Sequence, residues 1–209
     1  MNATLLPVHR ELLASSRVAV WTASVDRLRF GELGILIGAG ITAALAVSCL
    51  DFGLRLPGHA ILRAVFPMAL GLSLAPRRLG GVVMGVSACA TTLLLKFGGG
   101  SSPGIGALTS LCVIGPMLDA ALWRAKSGWS VYLCFALAGC LTNLVAFAVR
   151  GAGKLAGLDA LTKRPLADWV STASWSYLLC GVVAGLLSAA IWFRLRADRD
   201  IHGLRESTP

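Results

Sequence analysis

Apolar residues run along this chain in six long blocks, separated by short stretches that carry most of its charge. The blocks are Leu33–Leu50, Ala60–Ala75, Leu79–Leu95, Ile105–Trp123, Val131–Val149 and Trp175–Phe193. Each holds 16 to 19 residues, near the ~20 that a helix needs to cross a hydrocarbon layer of about 30 Å. Polar residues do not return within them every 3.6 positions, as they would on the wet face of a soluble helix. The pattern predicts an all-α, polytopic integral membrane protein with about six transmembrane helices. Arg63 interrupts the second block and Asp119 the fourth.

Three parts follow from this reading. Residues 1–30 form a cytoplasmic or interfacial N-terminal segment, 31–196 the six-helix transmembrane domain, and 197–209 a cytoplasmic tail. In the first part, Leu12, Leu13, Val18, Val20 and Trp21 alternate with Arg10, Glu11 and Arg17. That mixture fits a helix lying in the membrane interface, or a frayed terminus. It has no continuous apolar core of the kind a cleavable signal requires.

Composition agrees with the blocks. The 209 residues are 56% hydrophobic and 14% charged, with a mean hydropathy of +0.75. A net charge of +9 would suit nucleic acid on a soluble domain, but here the basic residues sit at the ends of apolar blocks. There they act as an orientation signal, and no nucleic-acid partner is expected. Arg10, Arg17, Arg27 and Arg29 precede the first block, Arg77 and Arg78 follow the second, and Arg124 and Lys126 follow the fourth. Arg194, Arg196 and Arg199 follow the sixth. The first and third connections hold only Arg55 and Lys96, so both termini are expected in the cytoplasm and the protein in the inner membrane. The fifth connection, with Arg150, Lys154, Lys163 and Arg164, runs against this pattern.

The expected outer face gathers Asp51–His59, Phe97–Pro103 and the segment 150–172. Ionisable side chains at membrane depth are costly, and so mark candidate sites. His59 and Arg63 are four residues apart and share a helix face. Pro57 and Gly58 break the chain just before them, at the expected outer surface. A neutral imidazole there is a ligand for a first-row transition metal, or an interfacial side chain meeting water. Arg63 repels a divalent ion unless an acid such as Asp51 neutralises it; a His–Arg pair otherwise suits an anion such as a carboxylate.

Thr142 and Asn143 lie mid-block and either bond a neighbouring helix or line a cavity. Asp119 is expected to pair locally with Arg124 or Lys126. Ala39 and Ala43, four apart beside Gly38 and Gly40, form a small-residue face that admits another helix, from this chain or from a partner. All six cysteines fall within apolar blocks without C-x-x-C spacing, and are read as packing residues. No H-E-x-x-H, in-span acid pair or G-x-S-x-G appears, so catalysis is not expected.

Pro57-Gly58-His59, Ala69-Leu70-Gly71-Leu72-Ser73-Leu74-Ala75-Pro76, Gly80-Gly81-Val82-Val83-Met84-Gly85, Gly98–Gly100 and Val113-Ile114-Gly115-Pro116 together resemble one known group. It is the cobalt/nickel (CbiM/NikM-like) substrate-binding S-components of energy-coupling-factor transporters. The resemblance covers Asp51 to Trp123. It implies an S-component-like bundle that captures substrate from outside, with a transmembrane coupling subunit and cytoplasmic ATPases as partners. It also implies docking through Ala39 and Ala43, and a metal role for His59. The metal would be a transported substrate, since no intrinsic cofactor is expected. The group places a histidine directly after the initiator methionine; here Asn2 stands there. A single histidine falls short of the three or four ligands that a transition metal takes. The candidate substrate-binding residues are therefore His59, Arg63, Asp51 and Asn143, for a metal ion or a small anionic nutrient. The alternative is a structural or accessory subunit that anchors a larger membrane complex.

Overall fold

A computed structural model describes residues 30–50, 57–75, 77, 79–99, 103–125, 128–157 and 166–206. These form six helices: α1 (Phe30–Cys49), α2 (Ala60–Leu74), α3 (Gly80–Phe97), α4 (Ile105–Arg124), α5 (Gly128–Leu155) and α6 (Leu166–Glu206). No strand appears among the described residues. All but α2 are long and apolar enough to cross a membrane, and the all-helical, polytopic expectation holds.

α2 is the exception, at 15 residues, or about 22 Å of helical rise. Its start is set by Gly58, whose φ of +87° is open to glycine and costly for other residues. Packing gives the six helices a ring order, α1–α3–α4–α5–α6–α2, with α2 also crossing to α4. The short helix therefore lies inward, and Ile61, Ala64, Val65, Met68, Ala69 and Leu72 are fully buried on it.

Glycines set the crossings. A methyl group on Gly40 of α1 would collide with Ser87 and the Met84 carbonyl of α3. Gly81 and Gly115 bring the backbones of α3 and α4 together, and Gly139 and Gly181 do the same for α5 and α6. In hydrocarbon, apolar burial gives helices no net attraction, so close approach of backbones supplies the dispersion contact that holds them. Ala39 and Ala43 belong to this scheme. Ala43 is fully buried, and Ala39 lies against the space beside Gly71 of α2. Both alanines thus pack against neighbouring helices of the same chain.

The end of the bundle where α3 begins is closed by polar contacts. Arg77 donates from Nε and Nη2 to the two carboxylate oxygens of Glu32 in the first turn of α1, at 2.8 and 3.1 Å. α3 starts after Leu79, which has no side-chain oxygen to cap a helix and sits at a φ of 65°. The cap comes from α4 instead: Asp119 accepts from the amides of Gly81 and Val82 at 2.8 and 2.9 Å. A carboxylate there satisfies two amides that have no intrahelical acceptor and meets the positive end of the helix dipole. This corrects the expected pairing with Arg124, because both oxygens of Asp119 face backbone. Lys126, the other expected partner, lies outside the described residues.

A second correction concerns the cysteines. Cys89 of α3 and Cys112 of α4 form a disulfide, with Cα atoms 6.1 Å apart. Cys49, Cys134, Cys140 and Cys180 are free.

Candidate functional site

The polar side chains of the bundle's other end converge on the turn Pro57–His59. Gly58 wedges this turn between α5 and α6. A Cβ on it would stand 3.0 Å from Asn143 Nδ2 and 3.0 Å from the Tyr177 ring. Asn143 donates to the Gly58 carbonyl at 3.3 Å and to the Tyr177 carbonyl at 2.5 Å. The amide orientation is thereby fixed, since flipping it would set an oxygen against two carbonyl oxygens. Each helix contributes for a stated reason: α2 opens with the only residue type that fits, α5 supplies a mid-span amide, and α6 yields a main-chain acceptor.

The turn is deeper than the sequence indicated. Asn143 lies about 9 Å of helical rise inside Val149, where the apolar block of α5 ends. Gly58, in contact with Asn143, is at the same level, not at the membrane surface. Irregular backbone persists at such depth only when protein surrounds it and satisfies its polar groups, which is what Asn143 does for Gly58.

His59 follows as the residue before α2, and Arg63 lies one turn further in. Arg63 Nη2 stands 3.0 Å from His59 Nε2. Guanidinium only donates, so a hydrogen bond at this contact has Nε2 as its acceptor. The nitrogen that a metal would use is thus directed at a permanent cation. Among the described residues no group of three His, Cys, Asp or Glu side chains comes together to hold a metal ion. Asp51, the acid expected to balance Arg63, lies outside the described residues.

Tyr177 and Arg150, neither singled out in the sequence, extend the cluster. The buried Tyr177 packs its ring on Phe147 at 5.4 Å between centroids, and Arg150 Nη1 approaches its hydroxyl at 3.5 Å. Gly106, in the first turn of α4, lies beside both. A Cβ there would lie 3.5 Å from the Tyr177 hydroxyl and 3.7 Å from Arg150 Cδ. The cluster thus runs Arg63, His59, Gly58, Asn143, Tyr177 and Arg150, across α2, α5 and α6 with α4 as a wall. Asn143 Oδ1 and, on the next residue back, Thr142 Oγ1 are buried with no hydrogen-bond partner among the described residues. Thr142 therefore does not bond a neighbouring helix there, one of its two expected roles.

These features define a polytopic helical membrane protein with a polar cluster built around a turn at membrane depth. No family model, no curated protein and no solved structure matches the chain.

Proposed function

We propose that the protein is a membrane-embedded substrate-capture subunit of an ATP-driven uptake transporter of the energy-coupling-factor type, and that its substrate is a small organic anion. The observation that carries this reading is the cluster around Pro57–His59. It sets two guanidinium groups, an imidazole, a carboxamide and a phenol at one end of an apolar bundle, below the level where the apolar block ends. Such groups are costly in hydrocarbon and serve to receive a polar solute. Guanidinium is the side chain best matched to a carboxylate, through paired donors in one plane.

In this proposal Arg63 and Arg150 attract the anion, His59 holds the Arg63 guanidinium in place, and Asn143 fixes the turn that carries both. The cluster faces outward and both termini lie in the cytoplasm, following the distribution of Arg and Lys. Energy comes from cytoplasmic ATPases acting through a transmembrane coupling subunit. The transition-metal reading is the weaker one, because His59 Nε2 faces Arg63 and no group of three His, Cys, Asp or Glu side chains gathers among the described residues.

The experiment is a thermal-shift screen of the detergent-purified protein against mono- and dicarboxylates, and against chlorides of cobalt and nickel. The proposal expects stabilisation by one or more carboxylates that is lost in Arg63→Gln. Stabilisation by cobalt or nickel, lost in His59→Ala and kept in Arg63→Gln, would replace it with metal capture. No stabilisation by any ligand would favour the accessory-subunit alternative.

A further inference from the structure

The Cys89–Cys112 pair lies apart from the polar cluster and has no part in the proposed capture. Cys89 is near the middle of α3, with about 12–14 Å of helical rise on either side. Cys112 has its side chain exposed on the outer surface of the bundle, and Cys89 is half-buried beside it. In a membrane that surface meets acyl chains. Water-borne thiols and disulfide-exchange proteins act by thiolate attack in aqueous contact and do not reach this depth. A redox partner for these sulfurs must therefore be soluble in hydrocarbon.

The α3–α4 crossing does not need the bond in order to form. Gly81, Gly85 and Gly115 already bring the two backbones together, and Asp119 ties α4 to the first turn of α3. These contacts run from the first turn of α3 to Gly85, which lies against the carbonyls of Leu111 and Cys112. The disulfide adds a covalent constraint at Cys89, one turn of α3 beyond Gly85, towards the half of α4 that carries Gly106 beside Tyr177 and Arg150.

We propose that Cys89 and Cys112 are a redox-active pair within the bilayer, oxidised by a lipid-dissolved quinone. The two S–H bonds break and one S–S bond forms. The two electrons and two protons released convert one quinone to one quinol. The oxidised pair fixes α4 to α3 at mid-membrane, and the reduced pair leaves that half of the hairpin held by packing alone.

The test uses the full-length protein in lipid nanodiscs. All six cysteines are reduced anaerobically with a membrane-permeant phosphine, which is then removed. A fully substituted benzoquinone is supplied in the lipid. After quenching in detergent with a maleimide, labelled cysteines are counted and mapped by mass spectrometry. The proposal expects the count to fall from six to four, with Cys89 and Cys112 the unlabelled pair and one quinol formed per chain. Anaerobic nanodiscs without quinone keep all six labelled. Six labels in the presence of quinone would overturn the proposal. So would loss of label at other cysteines, or equally fast loss in air without quinone. Cys112→Ala supplies the control, in which Cys89 stays labelled.

Discussion

Replacing Asp119 by alanine removes the acceptor for two amides in the first turn of α3 and should be among the most damaging single changes in the bundle. Leu79 cannot substitute as a cap, and Gly81 and Val82 have no intrahelical acceptors. Hydrogen bonds to a charged group contribute about 1.5–3 kcal/mol each, so losing both should cost roughly 3–6 kcal/mol. Asp119→Asn should fall between. Its oxygen retains one bond, but its NH2 group then faces an N–H, donor against donor. For a chain of this size the alanine variant should lower the unfolding midpoint by roughly 6–24 °C, measured in detergent by a thiol-independent melting assay. Arg124→Gln provides the contrast, with an expected change within about 0.5 kcal/mol. An Asp119→Ala protein that melts with the wild type would refute the capping account. If Arg124→Gln instead matched the loss, the local ion pair would be the correct description.

Other changes probe the rest of the fold. Gly58→Ala places a methyl group 3.0 Å from Asn143 and Tyr177 at a positive φ, and should destabilise by roughly 2–3 kcal/mol while weakening carboxylate stabilisation. Asn143→Leu leaves the Gly58 carbonyl without its donor, and should cost roughly 1–2 kcal/mol in the same melting assay. Gly181→Val forces α5 and α6 apart where their backbones meet, and should reduce the yield of folded, monodisperse protein on size-exclusion chromatography. For Glu32 and Arg77, either single charge reversal should lower stability by about 1 kcal/mol, and the double swap should recover most of it.

Much of this architecture was legible in the sequence, because an apolar block of membrane length has few alternatives. Helix boundaries in α1, α3 and α4 lie within a few residues of the block ends. Depth was harder to read. Pro57 and Gly58 signal a chain break, but only the contacts of Gly58 with Asn143 and Tyr177 reveal how far inside the bundle that break lies. Asn143 was identifiable from the cost of a carboxamide at mid-span, and Arg63 from the cost of a cation. Tyr177 gave no such signal, since a tyrosine near a span end ordinarily belongs to the interfacial belt. Asp119 was assigned the nearest cations in sequence because a cap supplied by another helix leaves no local pattern. The Cys89–Cys112 pair did leave one. The two positions are nearly equidistant from the Phe97–Pro103 connection, and such residues face each other across an antiparallel hairpin.

The ligand that the Pro57–His59 cluster receives decides between these functions. Mass spectrometry of small molecules and metals released from freshly purified wild type and Arg63→Gln protein addresses that directly. The prediction is a carboxylate-bearing compound enriched in the wild type and depleted in the variant, with no stoichiometric transition metal in either. A transition metal near one per chain, retained in Arg63→Gln and lost in His59→Ala, would contradict it.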